Sequence, residues 1–233
     1  MNKNKLYKVL LIRHGESIWN HSSKFTGWSD IPLTDIGRKE AHNISYRLKY
    51  LKLIPENIYS SVLDRCIETT NIIKNNTNTN SNIYTSWRLN EKHYGTLEGI
   101  PRSYIRDEYG SKFTEMMRNN FYMKPPVIGK LSETVNEYPI FKNCYYNAIK
   151  HGESKENVLN RLLPYFENDV LYSINQNKLP LVITHKHCIR VLMKYYLKMD
   201  DNNFEKFTIP HKHITLMFFD ESYDFRGYEY IKY

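Results

Sequence analysis

Two histidines in this sequence each follow a short apolar run. One run ends in Leu11-Ile12-Arg13-His14-Gly15, the other ends in Val182-Ile183-Thr184-His185, and Arg65 lies just past a third, shorter run. If the runs are neighbouring strands, their carboxyl ends bring two imidazoles and two guanidinium groups to one edge of a sheet, where ligands bind in α/β folds. Guanidinium donors match phosphate oxygens, and an imidazole held among them can attack phosphorus. The residues therefore predict phosphoryl transfer through a histidine.

Phosphoryl transfer also needs a group that gives and takes protons. Its transition state spreads charge over the equatorial oxygens, so that catalysis consists mostly of positioning and electrostatics. A carboxylic acid must still protonate the leaving oxygen and later activate the acceptor. Glu91, within Arg88-Leu89-Asn90-Glu91-Lys92-His93-Tyr94-Gly95, is our candidate for that role.

The elements that must position these residues alternate between strands and helices. Apolar runs predict strands at residues 7–13, 58–60, 83–85, 181–184 and 214–219. Apolar residues at helical spacing predict helices at 34–51, with Thr34 as the N-cap, and at 64–74, 156–172 and 189–197. We expect the polar run 75–82 to be a solvent loop, and residues 87–126 to be a lid-like insertion of short helices. The alternation predicts one α/β domain over residues 1–233, a three-layer α/β/α fold with a largely parallel central sheet.

Ordered blocks over nearly the whole chain resemble the histidine phosphatase (phosphoglycerate mutase-like) superfamily. The blocks are Leu11-Ile12-Arg13-His14-Gly15-Glu16-Ser17, Trp19-Asn20, Phe25-Thr26-Gly27-Trp28-Ser29-Asp30, Pro32-Leu33-Thr34-Asp35-Ile36-Gly37, residues 60–65, residues 88–95, Gly152-Glu153-Ser154 and His185. Residues 88–95 resemble the cofactor-dependent phosphoglycerate mutase branch more than the small phosphatases.

The resemblance implies a role for each matching residue. It makes His14 the nucleophile and Glu91 the acid and base. The phosphate pocket that it implies is formed by Arg13, Arg65, His185 and Asn20. The remainder of a small phosphorylated substrate would contact Thr26, Gly27, Tyr94, Arg102, Arg118 and Lys186. The resemblance also implies a phosphohistidine intermediate, a homodimer and, in the mutase branch, 2,3-bisphosphoglycerate as the priming phosphoryl donor.

Three departures from the mutase pattern bear on the outcome of the reaction. Arg118-Asn119 stands where the mutases have paired arginines, and Lys186-His187-Cys188 stands where they usually have glycine-asparagine-serine. The mutases also carry a C-terminal tail over the site, whereas this chain ends soon after the strand at 214–219. A mutase must shield its phosphohistidine from water. We therefore expect net phosphatase activity. The alternative is the glycolytic interconversion of 3- and 2-phosphoglycerate, which residues 88–95 favour.

Two other kinds of function are open to these residues. His185-x-His187 and His211-x-His213 could each place two imidazoles toward a metal ion. No carboxylate accompanies them, and Lys186 and Lys212 would repel a cation, so we expect no metal. A binding module without catalysis is the remaining alternative, motivated by Lys186, His187 and Asn119.

Composition narrows the class of protein further. The net charge is +8, but no dense Lys/Arg run with interleaved aromatic residues occurs, and we expect no nucleic-acid partner. The longest apolar run, residues 9–12, is too short to span a membrane, and the basic start of the chain lacks a signal-peptide core. Three cysteines, Cys66, Cys144 and Cys188, favour a reducing cytoplasm over a disulfide framework, although Cys188 at a helix start could form a thiolate.

Overall fold

Strands and helices alternate along most of the chain. The computed structural model describes residues 5–127 and 152–233. Its strands are β1 (Tyr7–Arg13), β2 (Asn57–Ser60), β3 (Asn82–Thr85), β4 (Pro180–Thr184), β5 (His213–Phe219) and β6 (Phe225–Lys232). Its α-helices are α1 (Ile18–His21), α2 (Asp35–Tyr50), α3 (Asp64–Thr77), α4 (Arg102–Tyr109), α5 (Ser111–Asn119), α6 (Lys155–Tyr165), α7 (Tyr172–Asn175), α8 (Lys186–Tyr196) and α9 (Asp201–Lys206).

The strands form one six-stranded sheet in the order β3-β2-β4-β1-β5-β6. Strands β1 to β4 run parallel, whereas β5 is antiparallel to β1 and β6 is antiparallel to β5. Helices α2 and α3 pack on one face of the sheet, and helices α6 and α8 pack on the other. The sheet is mostly parallel and lies between helical layers, which confirms the predicted α/β fold.

Side chains of β1 alternate between the two faces of the sheet. Val9 and Leu11 join the cluster beneath α6 and α8, while Leu10 and Ile12 join the cluster beneath α2 and α3. All four side chains are fully buried. Burying one such side chain contributes roughly 1.5–3 kcal/mol relative to leaving it in water. A strand that is apolar on both faces has a continuous apolar sequence, so the bounds of β1 were predictable, and its carboxyl end is firmly anchored.

Only residues 78–81 of the polar run 75–82 form the loop that we predicted. Helix α3 continues to Thr77, β3 begins at Asn82, and both Thr77 and Ser81 are buried. Hydrogen bonds to backbone carbonyls satisfy the polar side chains of this run. Thr77 Oγ1 donates to Ile73 O at 2.7 Å, and Thr79 Oγ1 donates to Pro55 O at 3.1 Å. Polar composition alone therefore misplaced two element boundaries.

Two helices and one further strand also differ from the prediction. The helix predicted at 156–172 is interrupted, because α6 contains Pro164 and is followed by a π-helical turn at Phe166–Val170. Helix α8 begins at Lys186, directly after β4, and not at residue 189. The edge strand β6 was not predicted. Its side chains are half-buried or exposed, so the apolar run typical of an interior strand is missing.

The segment 87–126 consists of short helical pieces, as the sequence predicts. Two 3₁₀ turns span Trp87–Leu89 and Gly95–Leu97, and α4 and α5 follow them. A separate small core packs these pieces together, and its buried members are Phe25, Tyr94, Leu97, Ile105 and Met117. A lid function for this segment stays a prediction.

Two of the predictions concern residues outside the described ranges, namely the basic N-terminal residues 1–4 and Cys144. Within the ranges that are described, no helix combines the length and the apolar character needed to cross a membrane.

Candidate active site

Strand register places the two histidines side by side. Arg13 of β1 lies opposite Thr184 of β4, so that His14 and His185 leave the sheet at the same edge. The His14 backbone N–H donates to Thr184 O at 3.0 Å. The two imidazole centroids are 4.9 Å apart, with an angle of 62° between the rings. The two strand ends meet as the sequence predicts.

Gly15 allows the backbone after His14 to touch helix α2. A Cβ at residue 15 would lie 2.2 Å from Gly37 O, and a Cβ at residue 37 would lie 2.1 Å from Glu16 O. Neither contact leaves room for a side chain. The Gly15 N–H also donates to Thr69 Oγ1 of α3, at 3.2 Å. The two glycines therefore position the nucleophile candidate through close approach of two backbone segments.

His14 is a neutral imidazole. Its Nδ1 lies 2.6 Å from Gly15 O, so Nδ1 carries the proton and Nε2 carries the lone pair. Burial holds the pKa of His14 well below its usual value, and the Arg65 and Arg13 guanidinium groups lower that pKa further. A neutral ring with its lone pair on Nε2 is the form that can attack phosphorus.

Backbone and amide oxygens orient the two arginines beside His14. Arg65 is buried in the first turn of α3, where its Nη1 donates to Ser29 O at 2.9 Å and its Nη2 donates to Gly27 O at 2.7 Å. Its Nε has no hydrogen-bond partner among the described residues. Arg13 Nη2 donates to Asn20 Oδ1 at 2.9 Å. Each guanidinium therefore has a set direction and further donors for a phosphate.

Glu91 is a buried carboxylate that is held at one oxygen. Its Oε1 accepts from the Lys92 backbone N–H at 2.7 Å and lies 3.1 Å from His187 Nδ1. Burial raises the pKa of the carboxyl, but His187 and the Lys92 N–H outweigh burial and hold this pKa well below its usual value. Burial also lowers the pKa of His187 to about 3. The neutral His187 ring therefore donates Nδ1–H to the carboxylate, which leaves Oε2 of Glu91 for proton transfer.

Large buried side chains hold the backbone at Glu91. Trp28 Nε1 donates to Glu91 O at 2.6 Å, and Arg161 Nη2 donates to the same oxygen at 2.9 Å. Arg161 is itself paired with the buried carboxylate of Glu153, at 2.7 Å. Since neither partner is exposed to water, this pairing keeps Arg161 in one orientation. The position of Glu91 is thus determined from both its side chain and its main chain.

The buried carboxylate of Glu98 joins two walls of the site. Its Oε1 accepts from the backbone N–H groups of Trp28 and Tyr94, each at 3.0 Å. Its Oε2 accepts from the Ser29 N–H at 2.9 Å and the Ser29 hydroxyl at 2.8 Å. A Cβ at Gly27 would lie 1.8 Å from Glu98 Oε1, and Gly27 has a φ of +54°. Only glycine fits at residue 27.

An open cleft of about 610 Å³ collects the candidate residues. Apart from His185, every residue of the predicted site lines this cleft, and His187 is an additional member. The lining residues are Arg13, His14, Asn20, Thr26, Gly27, Arg65, Glu91, Tyr94, Arg102, Arg118, Lys186 and His187. His185 is fully buried beside His14, with its Nε2 3.0 Å from Ser61 Oγ and its Nδ1 without a partner among the described residues.

The cleft is strongly electropositive. Its charged side chains are one carboxylate, Glu91, and the cations Arg13, Arg65, Arg102, Arg118 and Lys186. Burial lowers the pKa of Lys186 to about 8, and the neighbouring arginines lower it as well. Within residues 5–127 and 152–233, Thr26 Oγ1 and Arg102 Nε are buried without a hydrogen-bond partner. This set of donors fits a ligand with several negative charges.

His187 is the residue that sequence reasoning underestimated. The sequence marked it as a departure from the mutase pattern and as a metal-ligand alternative, whereas the structure places it against Glu91. The sequence feature that could have identified it is its position in the first turn of a helix, two residues after the strand-end histidine His185. Asn119, the other departure, does not line the cleft, and its Oδ1 accepts from Arg190 Nη1 at 3.4 Å.

The structure also shows the surroundings of the metal-ligand and cysteine candidates from sequence analysis. In the described parts of the chain, no three His, Cys, Asp or Glu side chains are grouped to hold a metal ion. The thiols of Cys66 and Cys188 are buried, and burial raises the pKa of Cys188 to about 12. Cys188 Sγ donates to Asn90 O at 2.9 Å. Cys188 is therefore a protonated structural thiol and not a thiolate.

Comparisons with known proteins agree with this geometry. The chain is 37% identical over 204 residues to the 2,3-bisphosphoglycerate-dependent phosphoglycerate mutase of Buchnera aphidicola subsp. Cinara cedri, covering 85% of this chain and 87% of that protein. It is 32% identical over 208 residues to the enzyme of the same name from Hydrogenobaculum, covering 88% and 84%. The solved structure of mycobacterial glucosyl-3-phosphoglycerate phosphatase has the same fold, with a TM-score of 0.73, 19% identity, and coverage of 98% and 99%.

The family model of the histidine phosphatase superfamily (branch 1) matches residues 9–225. That match spans β1 to the start of β6 and includes every residue of the cleft. The chain belongs to the histidine phosphatase superfamily.

Proposed function

We propose that this enzyme interconverts 3- and 2-phosphoglycerate through a phosphohistidine on His14, with 2,3-bisphosphoglycerate as the priming phosphoryl donor. The observation that carries the proposal is the cleft itself. A neutral His14 lies beside Arg13, Arg65 and Glu91, and the cations Arg102, Arg118 and Lys186 line the rest of the same cleft. The name shared by the relatives that are 32–37% identical supports the same reaction.

In the first half-reaction, Nε2 of His14 attacks the phosphorus of a bound phosphoester. The N–P bond forms while the bond from phosphorus to the ester oxygen breaks, and Glu91 gives the leaving oxygen a proton. Glu91 is ionised in the free enzyme. A phosphate dianion close to it raises its pKa, because like charges disfavour ionisation. Substrate binding therefore supplies the protonated carboxyl that the leaving group needs.

In the second half-reaction, the acceptor hydroxyl loses its proton to Glu91 and attacks the phosphohistidine. The N–P bond breaks and the new ester bond forms. Arg13 and Arg65 stabilise the charge on the equatorial oxygens in both directions, since their donors are already oriented. When the acceptor is the free hydroxyl of a bound 3-phosphoglycerate, the product is 2,3-bisphosphoglycerate. This bisphosphate returns its 3-phosphoryl group to His14 by the first half-reaction and leaves 2-phosphoglycerate, so the net result is mutase activity.

The excess of positive charge favours an acidic metabolite. Phosphoglycerate carries a carboxylate besides its phosphate, and 2,3-bisphosphoglycerate carries a second phosphate. Arg13 and Arg65 bind the reacting phosphate. Arg102 and Arg118 line the same cleft and are therefore available for these additional groups. Arg102 lies at the start of α4, where its buried Nε has no hydrogen-bond partner among the described residues, and burial lowers the pKa of the guanidinium. A guanidinium in that setting gains from an anionic partner.

Net hydrolysis is the second candidate, and it is the one that sequence analysis favours. Residue 119 is an asparagine where the mutase pattern has a second arginine, and it does not line the cleft. Arg118 therefore has no arginine beside it to help bind the substrate. A weaker hold on the organic acid gives water more time as the acceptor. Water attack on the phosphohistidine, with Glu91 as the base, would release inorganic phosphate.

One experiment separates these outcomes. Enzyme primed with 2,3-bisphosphoglycerate is incubated with 3-phosphoglycerate, and phosphorus NMR follows 2-phosphoglycerate and inorganic phosphate together. Isomerisation that outpaces phosphate release is expected; phosphate release alone would establish a phosphatase instead. Mass spectrometry of quenched enzyme should show an adduct that is stable in base and lost in acid. His14→Ala should remove both the adduct and turnover, and full turnover in that variant would refute the phosphohistidine.

A further inference from the structure

A second concavity of about 580 Å³ opens beside the nucleophile candidate. We call it the side chamber. It shares Arg13, His14 and Lys186 with the catalytic cleft, and its other wall is formed by residues 209–213 and Tyr233. Arg102 and Arg118 line only the cleft, while Lys212 lines only the side chamber. A phosphoryl group on His14 therefore has two separate spaces into which the rest of a ligand can extend.

The side chamber is also electropositive. Arg13, Lys186 and Lys212 line it together with one carboxylate, Glu40. Glu40 is already engaged, because its Oε2 accepts from the Glu16 N–H at 3.0 Å. Lys212 Nζ is 4.0 Å from Glu40 Oε1, a long contact, and 52% of the Lys212 side chain is exposed. The ammonium group is thus able to turn toward an anion in the chamber.

The wall that carries Lys212 is fixed to the sheet. Lys212 O accepts from the Tyr233 N–H at 3.2 Å, and the next residue, His213, begins β5 opposite Lys232 of β6. Lys212 itself has a left-handed backbone, with φ of +57°. Other residues of the chain, Lys198 among them, share this conformation, so the case for the subsite depends on the position and charge of Lys212. His211, which sequence analysis considered only as a metal ligand, flanks Lys212 in the same wall.

We propose that the side chamber is a second anion subsite. It binds the second anionic group of a phosphoester whose alcohol portion extends away from Arg102 and Arg118, while the reacting phosphoryl group lies against His14. Ile189 and Ile209 supply apolar wall between the charged ends, so the carbon skeleton of such a ligand also finds contact. This inference rests on the proposed function for the position of the reacting phosphate, and it assigns substrate recognition to residues that the cleft does not contain.

The test uses two lysines with the same backbone conformation. Lys212→Asn removes the charge with a residue that tolerates the left-handed region. Lys198→Asn is the matched control, because Lys198 is exposed, has φ of +49° and lines neither concavity. Both changes are placed in the His14→Ala background, so that no ligand is turned over. Calorimetry then measures the binding of inorganic phosphate, 2,3-bisphosphoglycerate and the longer butane-1,4-diol bisphosphate.

We expect Lys212→Asn to weaken the binding of at least one bisphosphate about five- to tenfold relative to Lys198→Asn, the range between an exposed ion pair and a charged hydrogen bond. The affinity for inorganic phosphate should stay within twofold. If both bisphosphates bind the two variants equally, or if phosphate weakens as much as they do, the subsite is refuted. Turnover assays with an intact His14 and 3-phosphoglycerate report separately on the proposed function, which can fail while the binding result stands.

Discussion

The contact between His187 and Glu91 predicts a shift in the pH dependence of catalysis. The neutral His187 ring donates Nδ1–H to Glu91 Oε1 at 3.1 Å inside the protein, and this bond stabilises the ionised carboxylate. A hydrogen bond to a charged group contributes about 1.5–3 kcal/mol. One pKa unit corresponds to about 1.4 kcal/mol. His187→Ala should therefore raise the pKa of Glu91 by about 1–2 units, with the Lys92 N–H still in place.

The assay is hydrolysis of the isolated phosphoenzyme in a single turnover from pH 4 to pH 8, since the negative charge of the phosphoryl group on His14 raises the pKa of Glu91 above its value in the free enzyme. Water attack needs ionised Glu91 as base, so the rate falls as the pH drops through the pKa of that carboxyl. A raised pKa moves this acid limb to higher pH by the same 1–2 units, and the rates converge at pH values above both midpoints. The variant Glu91→Gln supplies the background from the acid lability of phosphohistidine itself.

His187→Asn is the control, because asparagine keeps an N–H donor and is the residue that the mutase pattern has at this position. It should return the midpoint toward that of the unaltered enzyme. An acid limb that stays in place in His187→Ala would show that the contact does not stabilise the carboxylate. An equal shift in both variants would show that a hydrogen bond is not the cause.

Three further predictions follow from other contacts. Arg65→Lys should lower kcat/KM for p-nitrophenyl phosphate about 100- to 1000-fold, because one ammonium cannot replace a fork that binds two carbonyls and a phosphate; a loss below tenfold would contradict this. Gly37→Ala would stabilise an ordinary helix, but here its Cβ would meet Glu16 O at 2.1 Å, so urea denaturation should show a loss of about 1–3 kcal/mol and not a gain. Burial lowers the pKa of Lys155 to about 6, so between about pH 6 and pH 10 the unfolded chain binds the extra proton and stability rises with pH. Lys155→Met should flatten that rise in urea melts at pH 6.5, 7.5 and 8.5, and parallel curves would refute it.

The site was more predictable from the sequence than its surroundings were. β1 and β4 are interior strands, so their apolar runs were visible, and the histidine after each run had to leave at the same sheet edge. Arg65 followed from the same logic, because α3 starts where β2 ends. Glu91 was chosen from its segment, residues 88–95, which carries the family pattern. Each of these residues was identified from a short stretch of neighbouring residues, and a single sequence is enough to show such a stretch.

Other features depend on contacts between distant residues. β6 has no apolar run because it is an edge strand, so only its pairing with β5 defines it. The pairing of His187 with Glu91 joins residues 96 positions apart, and the local sequence around either residue does not predict this contact. The side chamber likewise combines the end of β1 with the starts of α8 and β5. Spacing along the chain does not encode which loops converge.

The Glu98 carboxylate restricts how the substrate range of this enzyme can change. It binds the backbone at Trp28 and Ser29 on one wall and at Tyr94 on the other, so a substitution that displaces either wall disturbs both. A substitution in either segment therefore disturbs the position of that segment and also the position of the segment opposite. The Lys212 side chain, in contrast, is half-exposed, and its contact with Glu40 is 4.0 Å long. Selection for new phosphoesters should therefore accumulate mutations around residues 209–213, and a library directed to that wall should retain more active clones than one directed to residues 26–29.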